Sequence, residues 1–562
     1  MNVETFILPA KILTMKNIFT FIFFCFTLYT SAQEFENNPK VKWGPVLKDP
    51  ATQLLTGDAN AIIMYDGISY KLYDETLNLK PTPELKFTTS YKDKKLYALS
   101  SSSTLIGDKI IRFYYDPDLK TKSTDFYYQL FDKNSLEPLG DVVLFYSNTA
   151  RLSLEFFRGG SPYFLDDPWK KNAAFFVAGT SPDHSKVCAV LKSKEKDTKN
   201  EEYHAFVFDT DMKLIWEKML NLRLAQKDIY AEGFLLDNTG NLYLQADVNP
   251  SNEISPALKL QLTENPSPRE QSGKETIFAF MQGGEAVYTY EIPKQGMHFG
   301  AAVSNPQDGV VYAAGLYSDD DPDEVTGFYC LQIDLKSKKI LQSKHQAFTA
   351  AFIGTFPKEM KNKKEDALKN FYLEKICFGE EQSVYIIASY WNSTNMQSTP
   401  GYTSFSSTGT TQQHSGTYTP PTFTSGSFIV VKLTKEFSVS WIGDVPKFYC
   451  TSGDDEANFH DFFCTTKDNK LYLFYNDSPL NNAVVDGGEL NKKSFKVSST
   501  NEASATLVTI APDGKWSKEI LFQSYKEQGR RLLPLSSALL NNDTLFLYTI
   551  GNKYQLAEFP LN

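Results

Sequence analysis

An all-β chain built from repeated four-stranded antiparallel meanders is what this sequence predicts, and three observations predict it. One stretch spells out a whole meander: HFGAAVSNPQDGVVYAAGLYSDDDPDEVTGFYCLQIDLKSKKILQSKH, residues 298–345. Short β-branched and aromatic runs there alternate with turns of Gly, Asn and Asp, the pattern of strands joined by tight hairpins. The composition agrees, because 41% of the chain is hydrophobic and 14% aromatic, with 42 Phe and 31 Tyr, residues that fit a pleated, buried surface. The second strand of that meander also recurs along all 562 residues. Tandem meanders cover their faces by packing on one another around an axis. The predicted fold is a β-propeller of eight four-stranded antiparallel blades, with seven blades as the alternative.

The chain in order begins with a segment that precedes the fold. Residues 15–33 read MKNIFTFIFFCFTLYTSAQ. Lys16 supplies a charged start, an apolar run of about a dozen residues follows, and Thr30-Ser31-Ala32 is a small-residue cleavage site. That run is shorter than the ~20 residues a membrane-spanning helix needs. Residues 1–32 are therefore expected to be a cleaved signal peptide with an over-extended start, Met15 being the natural initiator. The mature chain, residues 33–562, is expected as a single propeller domain in the periplasm or outside the cell, with no transmembrane segment.

Eight units follow, each anchored on its second strand: AIIMYDG (61–67), KIIRFYY (109–115), KVCAVLK (186–192), NLYLQAD (241–247), VVYAAG (310–315), SVYIIAS (383–389), KLYLFYND (470–477) and TLFLYT (544–549). Their spacing of roughly 50 to 90 residues exceeds a WD40 period, so inserted loops account for the excess. Outer hairpins share one plan, as in ISYKLYDETLNLKP from Ile68 and HAFVFDTDMKLIWEK from His204. In each, an alternating strand meets a polar turn and a return strand, which fixes register. The last unit stops at its third strand, 554–561, and VKWGPVL (41–47) is expected to supply the fourth and close the ring, so that no edge is exposed.

Two turns, SPDHSK (181–186) and APDGK (511–515), resemble the blade turns of WD40 and TolB-like propellers. The resemblance covers a few residues per unit and implies the architecture without indicating a specific family. His184 stands where the motif has glycine.

Two stretches depart from the repeat. Residues 391–426, rich in Ser, Thr, Gly and Pro, form an inserted loop between the second and third strands of unit six, too polar to fold alone. Residues 358–369, KEMKNKKEDALK, are the best helix candidate.

The net charge of −10 offers no basic stripe and argues against a nucleic-acid partner. Five cysteines remain after cleavage, an odd number that leaves at least one free thiol. Cys450 and Cys464 are the expected disulfide, with two buried free thiols as the alternative; the bridge would contribute about 3 kcal/mol. No GxSxG, HExxH, P-loop or EF-hand motif occurs in the sequence, and neither a metal site nor a cofactor is expected.

Lining up the units gives one constellation. Glu232, Glu374 and Asp461 fall at the start of the first strands of units four, six and seven; His460 adjoins the last and His298 enters the corresponding strand of unit five. First strands line a propeller's channel, so these residues are expected at one mouth, where ligands bind. Tyr230 and Tyr372, each two residues before a carboxylate, would stack a sugar or donate a hydrogen bond. Solvated strand ends are the competing reading. The expected function is a non-catalytic secreted or periplasmic scaffold that binds a protein or cell-envelope partner; the alternative is a propeller that binds or acts on carbohydrate through the channel-mouth carboxylates.

Overall fold

The computed structural model describes residues 38–148, 176–248, 274–292 and 302–561, short breaks within those spans apart. The expected signal peptide lies outside the described residues. Among these residues no helix is long and apolar enough to cross a membrane.

The strands form eight antiparallel sheets of four or five strands and three two-stranded ladders among the described residues. Each sheet is a meander, numbered here one to eight along the chain. Their second strands are Ala61–Tyr65, Lys109–Asp118, Lys186–Lys194, Leu242–Val248, Val310–Tyr317, Val384–Thr394, Lys470–Asp477 and Thr544–Ile550, one for each repeated unit. These strands read as nearly continuous apolar runs because both of their faces are covered. Sheet two carries an additional strand, Thr88–Tyr91. In sheet eight the outer strand is Lys42–Leu47, antiparallel to Tyr554–Pro560 with Lys42 opposite Glu558.

What covers each face is the neighbouring sheet. Ile63 and Leu72 of sheet one share a core cluster with Ile110 and Phe131 of sheet two. Phe113 of sheet two meets Phe206 of sheet three, and Val190 of sheet three meets Leu244 of sheet four. The series continues through Tyr243 with Val311, Phe328 with Ile386, Phe428 with Leu473, and Phe474 with Leu547. Sheet eight then packs on sheet one through Phe546, Tyr548 and Ile62. Apolar cores thus run between successive meanders and return to the first, the packing of a β-propeller.

Turn chemistry sets the register of the hairpins. Asp74, Asp132, Asp209, Asp237 and Asp334 each turn a carboxylate back on the backbone N–H groups two to four residues ahead, for example Asp237 Oδ1 to Thr239 N at 2.9 Å and Asn241 N at 2.8 Å. Such Asx turns mimic a backbone turn and suit aspartate. Two residues before the next strand or bridge the backbone is left-handed: Leu77, His184, Met212, Gly240, Phe437 and Gly514 all have positive φ. His184 therefore holds the backbone conformation that glycine holds in the related turn at Gly514.

One expectation is corrected. Residues 358–369 are not a helix: Lys358–Met360 is one 3₁₀ turn after Pro357, and Leu368–Lys369 is a short strand paired with Glu324–Val325. Asn362 breaks the segment, its side chain bonding Asp366 and Glu324, and the α-helix is Ala350–Gly354, capped by Thr349. The insertion at 391–426 joins the second and third strands of sheet six and contains paired segments of its own. The flanking strands Val384–Thr394 and Thr422–Leu433 run on past the first strand of the sheet, and Gln397–Thr399 with Thr417–Thr419 and Tyr402–Phe405 with Thr411–His414 form paired ladders beyond them. Backbone pairing, which composition does not reveal, draws it out as a hairpin arm.

Candidate functional site at the first strands of sheets six and seven

The first strand of sheet six, Phe371–Phe378, is irregular: Leu373 pairs with Ala388 and Lys375 with Ile387, which leaves Glu374 as an extra, unpaired residue. Sheet four has the same irregularity in Ile229–Leu236, where Ala231 pairs with Ala246 and Gly233 with Gln245, leaving Glu232 unpaired. Both glutamates are bulge residues, and a bulge re-aims a side chain away from the regular alternation. The side chains of Glu232 and Tyr230 lie outside the described residues, as does His298 altogether.

Around Glu374 the surroundings are polar but close. Ser389 Oγ donates to Glu374 Oε1 at 2.7 Å, and Tyr372, half-buried, stands opposite Ser389 in the ladder. Glu374 reaches solvent, yet desolvation by the protein around it is the main reason its pKa is raised, with the Asp461 charge adding to the rise. Glu374 is thus a surface carboxylate crowded by neighbouring protein groups. Asp461 lies just before Phe462–Lys467, the first strand of sheet seven, and burial pushes its carboxyl up to about 6 against the pull of Lys447.

Lys447 completes the group. It is buried at 1% exposure, on the outer strand Val439–Ser452 of sheet six, with its ammonium over the rings of Phe428 and Tyr475 at 5.2 and 5.1 Å. Its Nζ donates to the His460 carbonyl at 2.9 Å. Burial brings its pKa down to about 8, opposed by the carboxylates of Asp477, Asp461 and Glu374. The structure therefore brings Glu374 and Asp461 into one electrostatic neighbourhood with a buried cation. Near neutral pH the group can accept and donate hydrogen bonds and hold a polar or cationic ligand group.

His460 does not join it. Ser425 Oγ lies 2.9 Å from Nδ1 and Thr451 Oγ1 2.7 Å from Nε2, so both nitrogens are occupied. The ring is buried among Trp391, Phe423 and Tyr449, and burial first, then Lys447 and Arg531, hold its pKa well below the ordinary value. It is a neutral core histidine that fastens the base of the inserted arm.

Nor does the sulfur expected to pair with Cys464 lie beside it. Cys450 belongs to the core between sheets five and six, and Thr424 Oγ1 donates to its sulfur. Cys464 belongs to the core between sheets six and seven, with the Cys377 sulfur 3.2 Å away. Opposite faces of sheet six separate the two residues that sequence spacing suggested as a pair.

The residues that sequence reasoning missed are the buried polar ones around Lys447. Asp477 is fully buried; its Oδ1 accepts from the backbone N–H of Phe448 and Ser478 and from Asn481, and its Oδ2 meets Lys518 Nζ at 2.8 Å. Asn476 bridges the Phe459 and Leu532 backbones. The signal was the pair Asn476-Asp477 closing an apolar strand, where a buried run would continue with apolar residues. Among the described residues no cluster of three or more His, Cys, Asp or Glu could hold a metal ion.

No family model matches the chain, and no curated protein matches it. Among solved structures it is similar to the WD40 domain of SCAP from fission yeast, at 9% identity over 94% of this chain and 98% of that one, with a TM-score of 0.36. It is also similar to the β-propeller domain of the Trilobed protease from Pyrococcus furiosus, at 10% identity over 83% of this chain and 95% of that one, with a TM-score of 0.32. A polysaccharide lyase of the PL25 family, an ulvan lyase, is similar at 9% identity over 83% and 92%, with a TM-score of 0.34. Likenesses of this size add nothing to what the sheets show by themselves: the chain is a β-propeller, and no specific family is identified.

Proposed function

We propose that this protein is a non-catalytic, exported eight-bladed propeller, fastened by strand Lys42–Leu47, that binds a protein or cell-envelope partner at the recess between sheets six and seven. The observation that carries this reading is the meeting of Glu374, Asp461 and Lys447. Burial holds two carboxyls and an ammonium from neighbouring sheets away from their ordinary pKa values, and their opposite charges offset only part of it. Perturbed groups in a recess favour a binding or reactive site.

A second reading, carbohydrate recognition, is favoured by the same carboxyl pair with Tyr372 beside it. Export predicts a mature N-terminus at Gln33, read by N-terminal sequencing of the protein from its native host. The binding reading is tested by recovering envelope components on the immobilised protein. A Glu374→Ala/Asp461→Ala double variant is expected to lose a component that a chain lacking residues 393–425 still retains. Equal recovery by all three proteins contradicts the recess as the site. Saturable titration with envelope oligosaccharides, abolished by the double variant, would select the carbohydrate reading.

A further inference from the structure

Cys377 and Cys464 sit on the first strands of sheets six and seven, each three residues beyond the carboxylates Glu374 and Asp461. The two strands lie side by side with Cα atoms within 8 Å, and the sulfurs are 3.2 Å apart. Cys377 is half-exposed and Cys464 buried. The Lys375 ammonium, over the Phe463 ring at 5.7 Å, faces the same place and favours a thiolate. The hydrogen bond from Cys377 holds the Cys464 thiol below its ordinary value and raises that of Cys377 in return. The other cysteines lack this arrangement: Cys188 and Cys330 are buried in other cores, and burial pushes both thiols up to about 12.

We propose that Cys377 and Cys464 are a disulfide-forming pair that covalently ties together the two strands carrying Glu374 and Asp461, and so fixes the spacing of those carboxylates. The oxidant is a small disulfide such as oxidised glutathione. The shared proton passes to Cys464, and the half-exposed Cys377 thiolate attacks one glutathione sulfur, breaking its S–S bond and releasing a glutathione thiolate. That thiolate takes the Cys464 proton. Cys464 then attacks the Cys377 sulfur, the second glutathione leaves as a thiolate and is protonated by water. One disulfide is reduced to two thiols while the protein pair is oxidised, by ordinary exchange chemistry. A sulfur pair needs close Cβ placement on adjacent backbones to close, which neighbouring strands supply.

The test uses the full chain equilibrated with a large excess of oxidised over reduced glutathione, then alkylated under denaturing conditions and digested without reduction. The expected result is a cross-linked peptide joining Cys377 to Cys464 and a loss of two alkylatable thiols relative to the reduced protein. Cys450→Ser keeps both results, and Cys377→Ser abolishes the cross-link. An unchanged thiol count, or a cross-link that joins Cys464 to Cys450, overturns the proposal. Mapping the wild type decides the question even if a variant fails to fold. It involves no ligand, so its outcome is separate from that of the binding reading.

Discussion

Leu77, Met212 and Phe437 take left-handed backbone, φ 63°, 59° and 60°, at hairpin positions equivalent to Gly240 and Gly514. Left-handed conformation costs a residue with a Cβ roughly 1–2 kcal/mol. These three side chains turn back into the cores between sheets, and burying each returns about 1.5–3 kcal/mol. His184, at φ 55°, is exposed and has no such compensation. His184→Gly is therefore expected to stabilise the protein by up to about 1 kcal/mol. Gly514→Ala should destabilise it by about 1–3 kcal/mol, since φ is 88° and the new Cβ would meet the Trp441 ring at 2.9 Å. Denaturant midpoints of the two variants check both signs, and equal midpoints would show that turn strain does not set stability here.

At the scale of elements, the interface of sheets six and seven adds buried charged groups to its apolar core. Asp477 reaches across it to the Phe448 N–H while paired with Lys518, whose side chain is 2% exposed. Removing one partner of a buried pair leaves the other charge uncompensated, at about 3–5 kcal/mol. Lys518→Met is expected to cost that much and to loosen Val439–Ser452 first. Hydrogen exchange would report it as lost protection at Phe448, while unchanged protection there contradicts the role of Asp477. The second strands of all eight sheets were legible in sequence because burial on both faces writes a continuous apolar run between turn residues. The Asx turns were legible because aspartate at those positions has one local use. The sulfur pairing was not, because it depends on which face of sheet six each cysteine takes, and the bulge at Glu374 interrupts simple alternation. Lys447 carried no sequence signal and the buried setting of His460 was not legible, for a related reason: a buried cation and a buried histidine are set by partners far along the chain.

For the whole molecule, apolar cores run from sheet to sheet and back to the first, and in the proposed closure the junction of sheets eight and one bears on all of them. Lys42–Leu47 pairs with Tyr554–Pro560, and Gln555 Nε2 donates to the Gly44 carbonyl at 2.6 Å. Deleting residues 38–47 leaves the third strand of sheet eight with an open edge, a template for aggregation. The truncated chain is expected to unfold at a lower midpoint and to recover when a synthetic peptide of residues 38–47 is added. An unchanged midpoint would mean that the strand fastens nothing.

Packing of sheet six on sheet seven brings their first strands together, so that Asp461, crowded by protein, lies in the field of the buried Lys447. Asp461 then favours its protonated form in the fold. Its contribution to stability is greatest below the ordinary carboxyl value and is lost as pH rises through about 6. Carbon-13 titration of the aspartate carboxyls tests this most directly. The account predicts one carboxyl titrating near 6 in the wild type, absent in Asp461→Asn and moved higher in Lys447→Met, where the cation that favours its ionised form is gone. An Asp461 that titrates near 4 and ignores the loss of Lys447 would contradict it.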